Sequence, residues 1–309
     1  MKSLRIAVIL ALATSLLIAV TPALAHAQLL RSIPDANAAL DRAPAQIELF
    51  LSEAVEPAFS TIKVLDSNGR AVDNSDSKVD PGDATHLTVS VRSLSDGIYT
   101  VSWKALSATD GHVTVGSFPF AVGNVDAAAL ADAARASNQI KLSIGEVVSK
   151  WLLYLAAMAL VGNTLFILLV WQPAQRAIDA NDKATVAAFS RLASLAVIGL
   201  LLANIFGLLV QAGQASGTEI AAPWNIATND VLFNTRYGAL WIARTVLALA
   251  LIGLLPKAAT QRDRWIAFGL SLLLLLTISL GSHAASEPQP TLPVIGDWLH
   301  VLAASIWVG

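Results

Sequence analysis

The chain has 309 residues, of which 55% are hydrophobic and 14% charged, with a net charge of −2 and a mean hydropathy of +0.62. That is too apolar for an ordinary soluble domain and points to membrane segments. There is no cysteine, which excludes disulfides and thiolate metal sites, and with Met1 lost on processing only Met158 remains, which excludes a methionine-rich soft-metal site within these residues.

The apolarity is uneven. Residues 26–126 read as a polar soluble domain with seven Lys/Arg and thirteen Asp/Glu, a balance of −6, whereas residues 144–309 are dominated by long apolar runs. An acidic soluble domain argues against a nucleic-acid partner and is compatible with cation handling.

At the N-terminus, Lys2 and Arg5 precede the apolar run at 6–20, and "TPALA" then places alanines at −3 and −1 relative to a cut after Ala25. Residues 1–25 are therefore predicted to be a secretory signal peptide. Cleavage would make His26 the first residue of the mature chain. A terminal histidine offers its α-amine and its ring Nδ1 to one ion, and the amine, with a reference pKa of about 7.7–8.0, yields its proton readily to a metal. Two nitrogens from one residue suit Cu(II), which favours tetragonal N/O sites.

After His26 come short β-rich runs separated by turn signals: 46–52, 60–66, 86–92, 97–106 and 116–122, with "DSNGR" (66–70) and "DPGD" (80–83) as turns. About 100 residues of this kind, without helical periodicity, predict an all-β Ig-like sandwich over 26–123. Trp103 is expected in its core. Asp110 and His112 in "SATDGHVTVGSFPF" are two apart, so an extended backbone aims both at one spot, and Gly111 lets the chain bend between them. With His26 they make a set of three nitrogens and one oxygen. His86 opens a strand and is expected to be solvent-exposed.

Residues 124–143 are Ala-rich and polar and read as a linker or short helix. Apolar helices are predicted near 144–171, 188–212, 238–256, 265–282 and 294–309, each of the first four close to the roughly 20 residues a bilayer core requires. The fifth stops within an apolar run, so the transmembrane bundle is expected to be cut short there. Arg176, Lys183 and Arg191 follow the first helix and Lys257, Arg262 and Arg264 the third, while the alternate loops hold only Arg236. That asymmetry places the basic loops in the cytoplasm and the sandwich outside.

On this topology His283 lies at the outer end of the fourth helix, and Asp297 and His300, three apart, share a face near the outer end of the fifth. Ionisable groups in a bilayer are costly and usually functional. Arg244, about two turns into the third helix, cannot be a metal ligand and is expected to pair with an internal carboxylate or to order the bundle. Asn163, Asn204 and Gln211 are expected to make interhelical hydrogen bonds.

"HAQLLRSIPDANAAL", "ELFLSEAVEP", "VLDSNGR" and "YTVSWKALSATDGHVTVGSFPF" together resemble the CopC family of periplasmic copper-binding proteins, across nearly all of residues 26–122. The resemblance implies that His26, Asp110 and His112 bind Cu(II), without the Met-rich Cu(I) site of some relatives. Glu53 and Glu56 fit the family's strand pattern but are not expected to be ligands. "GSHAAS" followed by "DWLHVLAASIWVG" resembles the CopD family of copper-resistance membrane proteins, over about 144–309. The order of the two implies a fused copper-uptake or copper-tolerance protein of the inner membrane, with copper as its ligand and the bilayer and other periplasmic copper carriers as its partners. Copper captured outside would be accepted near His283, Asp297 and His300 and passed inward. Sequestration without transport fits the first half equally well. A histidine-brace copper oxidoreductase and a haem-binding electron carrier, with His283 and His300 as axial ligands, are the rivals. Asp110 as an extra in-plane ligand argues against the oxygenase, and no enzymatic activity is expected.

Overall fold

The computed structural model describes residues 27–109, 111–137, 143–178, 183–257, 260–285, 287 and 289–308. The predicted signal peptide and two of the proposed copper ligands, His26 and Asp110, lie outside these residues.

Residues 29–122 form a sandwich of two four-stranded sheets. One has the order β1 (Leu29–Ile33), β3 (Gln46–Leu51), β6 (Asp83–Ser90), β5 (Lys78–Asp80). The other has the order β2 (Ala39–Leu40), β8 (Val113–Val122), β7 (Gly97–Leu106), β4 (Thr61–Leu65). All pairings are antiparallel except that of β2 with β8. Alternation fixes the faces: Ile47, Leu49 and Leu51 of β3 and Tyr99, Val101 and Trp103 of β7 point inward, and the residues between them point out. Trp103 sits in the core as expected. The five predicted strands all form. β1, β2 and β5 are further strands whose short or mixed runs give little period-2 signal. In "DSNGR" the Asp66 carboxylate accepts from the amides of Asn68 and Arg70, and Gly69 takes a positive φ of 76°.

His86 is not solvent-exposed. Its side chain is only 15% exposed, its Nε2 lies 2.9 Å from a Glu48 carboxylate oxygen, and its ring stacks on Phe50 at 4.3 Å. A hydrogen bond from the Gln46 amide, helped by His86, holds the Glu48 carboxyl below its usual range. Cross-strand register produces this arrangement, since β3 and β6 pair Phe50 with His86.

Within 124–143 a helix, α1 (Ala127–Ser137), packs on β8, with the Ser117 hydroxyl donating to the Ser137 carbonyl. The helical part then runs through α2 (Ile144–Phe166), a π-turn (Ile167–Trp171), α3 (Gln172–Ala177), α4 (Lys183–Ser216), α5 (Ile226–Asn234), α6 (Arg236–Leu254), α7 (Gln261–Ser279) and α8 (Thr291–Val308). Four stretches are long and apolar enough to cross a membrane: Ile144–Ala177, Ala184–Ser216, Arg236–Lys257 and Thr291–Val308. The remaining predicted span forms as α7, but Arg262, Asp263 and Arg264 crowd its first turn and set it apart from those four. Leu160, Leu200, Leu251, Leu274 and Leu275 fill the bundle core, while Leu195, Leu202 and Val246 face outward, as lipid-facing residues do.

Two of the three internal amides bond between helices as expected. Asn163 donates to the Phe189 carbonyl, and Asn204 donates to Thr245 Oγ1 at 3.0 Å. Gln211 instead donates to the Gly111 carbonyl of the sandwich.

That contact belongs to an interface. Phe59, Leu106 and Val113 of the sandwich pack with Leu208 and Ala212 of α4 and Val231 of α5. Lys104 donates to the Ala215 carbonyl in the last turn of α4, where a cation opposes the negative helix end, and Arg236 donates to the Thr109 carbonyl. The sandwich thus rests on the end of the bundle formed by the C-terminal part of α4 and the N-terminal part of α6. Lys257, Arg262 and Arg264 lie at the opposite ends of their helices.

The packing predicts two outcomes. Phe120→Ala, at a fully buried core position, should destabilise the sandwich by about 3–5 kcal/mol in chemical denaturation, while Val115→Ala on the outer face should change stability by less than about 0.5 kcal/mol. Gly111 has φ of 75° and an added Cβ would stand 2.9 Å from Tyr237, so Gly111→Ala should loosen the sandwich from the bundle, detected as faster proteolysis between residues 123 and 144.

Candidate copper-transfer site

The segment between β7 and β8 carries the D-x-H motif. Its backbone is pinned at several points. The Ser107 amide donates to the His112 carbonyl at 2.8 Å, the Gly111 amide to the Ser107 carbonyl at 3.1 Å, and the Thr109 amide to Ser107 Oγ at 3.1 Å. The strand edge containing Glu53 and Glu56 runs alongside: the Ala108 amide donates to the Ala54 carbonyl, and the Glu56 amide to the Leu106 carbonyl. Glu53 is buried, and burial pushes the Glu56 carboxyl above its usual range.

His112, at the end of this segment, points into the interface, with its side chain 12% exposed. Ser143 caps α2 by accepting from the Glu146 amide, which sets Glu146 in the first turn beneath the imidazole. His112 Nε2 lies 2.5 Å from Glu146 Oε1 and also meets the Lys150 ammonium, which bonds Glu146 Oε1 at 2.8 Å. One ring nitrogen cannot satisfy both neighbours at once: as a donor it bonds Glu146, and as an acceptor it bonds Lys150. His283 approaches from the loop after α7, its ring centroid 5.0 Å from that of His112. The loop is tied to α8, since Ser282 Oγ donates to Asp297 Oδ2 at 3.1 Å.

Beneath these groups lies a cavity of about 280 Å3, lined by His112, Glu146, Lys150 and His283 at the sandwich end, by Tyr154 and Arg244 about two turns further along α2 and α6, and by Tyr237, which enters from the first turn of α6. Of the three membrane residues singled out in the sequence, His283 faces this cavity and Asp297 supports its loop. His300 is exposed, one turn further along α8. The structure therefore brings His283 to His112 rather than to His300. Among the described residues, no group of three or more His, Asp or Glu side chains is arranged to hold a metal ion. Arg244 is buried and, among the described residues, has no carboxylate partner; of the two expectations it meets the second, ordering the bundle. It donates to Asn204 Oδ1 at 2.9 Å, Thr277 Oγ1 at 3.1 Å and the Thr277 carbonyl at 3.0 Å.

Sequence reasoning missed Glu146 and Lys150. Their signal was present, as a charged i,i+4 pair at the start of an otherwise apolar run.

Comparison with known proteins places this geometry in context. Residues 29–123 match the CopC domain family, and residues 141–289 match the family described as copper resistance protein D-like, N-terminal domain. The chain is 30% identical over 294 residues to the copper transport protein CutJ of Bacillus subtilis, an alignment that takes in 92% of this chain and 52% of CutJ, so the chain spans about half the length of that relative. It is 40% identical over 123 residues to protein YobA of Escherichia coli K12, covering 39% of this chain and 95% of YobA. Among solved structures, CopC from Methylosinus trichosporium OB3b is 32% identical, covering 33% of this chain and all of that one, with a TM-score of 0.30. PcoC, a copper resistance protein from Escherichia coli, is 32% identical, covering 31% of this chain and 98% of that one, with a TM-score of 0.27. The chain belongs to the CopC family through its sandwich, joined in one polypeptide to a copper resistance protein D-like membrane domain.

Proposed function

We propose that the protein captures Cu(II) on the outer side of a cell membrane and passes it directly from the sandwich to the helical bundle. His26, Asp110 and His112 are the capture ligands, with the terminal amine of His26 completing the set once the signal peptide is removed. His283 receives the ion at the mouth of the bundle. The observation that carries this reading is the juxtaposition of His112 with His283, 5.0 Å between ring centroids, over a cavity that opens into the bundle. A ligand that sits at the interface can change partners without releasing its ion to solvent. The relative named as a copper transport protein and the match to a copper resistance protein D-like family support copper as the cargo.

Glu146 and Lys150 fit the same role. Their carboxylate and ammonium compete for the His112 nitrogen, so the docked imidazole is held by alternatives to a metal, a condition that favours release over tight retention. The orientation is supported by the basic residues at the helix ends away from the sandwich. Asp297 steadies the receiving loop, and His300 stands one turn beyond it on α8.

In a copper titration of the purified chain, His112→Ala should weaken Cu(II) binding by about 100-fold or more, whereas His283→Ala should leave that affinity within a few-fold of wild type and lower cellular copper accumulation. Equal loss of Cu(II) affinity in both variants, or normal accumulation with His283→Ala, would contradict the relay. One extra residue ahead of His26 should alter the Cu(II) electron paramagnetic resonance spectrum by removing the amine nitrogen. A spectrum identical to the native one would remove the amine from the ligand set.

A further inference from the structure

The deeper half of the cavity has the opposite character to its mouth. Arg244 stands eight residues into α6 from Arg236, about 12 Å along the helix, and is 6% exposed. A guanidinium in the membrane interior requires compensation. Its described partners are neutral: an amide oxygen, a hydroxyl and a carbonyl. Nη1 bonds Asn204 and Nη2 bonds the Thr277 carbonyl, which leaves one further N–H on each terminal nitrogen to donate to an anion.

Two further donors face the same space. Tyr154 of α2 and Tyr237 of α6 line the same cavity as Arg244. Neither phenol hydroxyl has a hydrogen-bond partner among the described residues. Two acids stand near these groups and both are engaged: Glu146 by Lys150 and His112, and Asp297 by the Ser282 hydroxyl. Leu153, Ala203 and Ile278 supply apolar wall between these donors.

We propose that this half of the cavity is a binding site for a small organic carboxylate, held by Arg244 and by the hydroxyls of Tyr154 and Tyr237. The guanidinium supplies the charge, the phenols complete the donor set, and the apolar walls take a short hydrocarbon group in preference to a hydrated inorganic ion. The volume, about 280 Å3 for the whole cavity, lies below that of pockets for drug-sized ligands and restricts the occupant to a few heavy atoms. Such an anion would neutralise Arg244, which otherwise repels a copper ion moving inward from His283. That role rests on the copper relay, whereas anion binding itself is tested without copper, so the two can fail separately.

The test is thermal unfolding of the purified full chain in detergent, titrated with sodium acetate against sodium chloride at equal ionic strength. Acetate should raise the melting temperature saturably, by about 2–4 °C at full occupancy, with chloride giving no saturable rise. The double variant Tyr154→Phe/Tyr237→Phe, which keeps the shape of the cavity and leaves the Arg244 hydrogen bonds to Asn204 and Thr277 in place, should lose most of the acetate effect. Arg244→Lys, which keeps the charge but removes the paired N–H groups, should weaken it. Equal effects of the two salts, or an undiminished acetate effect in the tyrosine double variant, would overturn the proposal.

Discussion

Everything at the site depends on how the segment between β7 and β8 meets the end of the helical bundle. Gly111 packs against the Tyr237 ring, Gln211 donates to its carbonyl and Arg236 to that of Thr109, and an apolar contact around Phe59 and Leu106 lies beside them. Backbone carbonyls are obligatory acceptors, and burying them requires donors in place. The side chains that satisfy them also fix the distance from His112 to α2 and to His283.

The interface gives the cavity two electrostatic faces. The mouth, with His112, Glu146 and His283, presents imidazoles and a carboxylate, the groups that bind a divalent cation. The interior, with Arg244 and two phenols, presents donors and a positive charge. A bare cation at about 4 Å from a guanidinium, at an effective dielectric near 20, meets a repulsion of about 4 kcal/mol per unit charge. On the proposed route, a cation accepted at the mouth would be opposed at the next level, so inward movement would need either charge compensation at Arg244 or a path that passes beside it.

The sandwich itself shows how His112, a proposed copper ligand, is held without a deep pocket. His112 owes its position to hydrogen bonds of the backbone around it, from Ser107 and to the edge containing Ala54 and Glu56. The ring is then free to exchange partners while the backbone stays fixed. Glu146 and Lys150, fixed one turn apart on α2, offer it an acceptor and a donor in one place.

Much of the fold was legible in the sequence, because its signals are local. Period-2 alternation in β3 and β7 and the Asn-Gly turn at 66–70 produce the sandwich, and apolar runs of bilayer length produce the helices. His283 also stood out, as an ionisable residue at the end of an apolar run, and the D-x-H motif did so through its i, i+2 spacing and the family resemblance. The partners of these residues did not. The pairing of His86 with Glu48 follows from the register between β3 and β6, the contact of Gln211 with Gly111 from docking over 100 residues of separation, and the neutral surroundings of Arg244 from helix packing. Sequence periodicity specifies which face of an element is buried. It carries no information about which distant face will cover it, and that covering decided that His112 meets Glu146, Lys150 and His283, and that His300 stands apart.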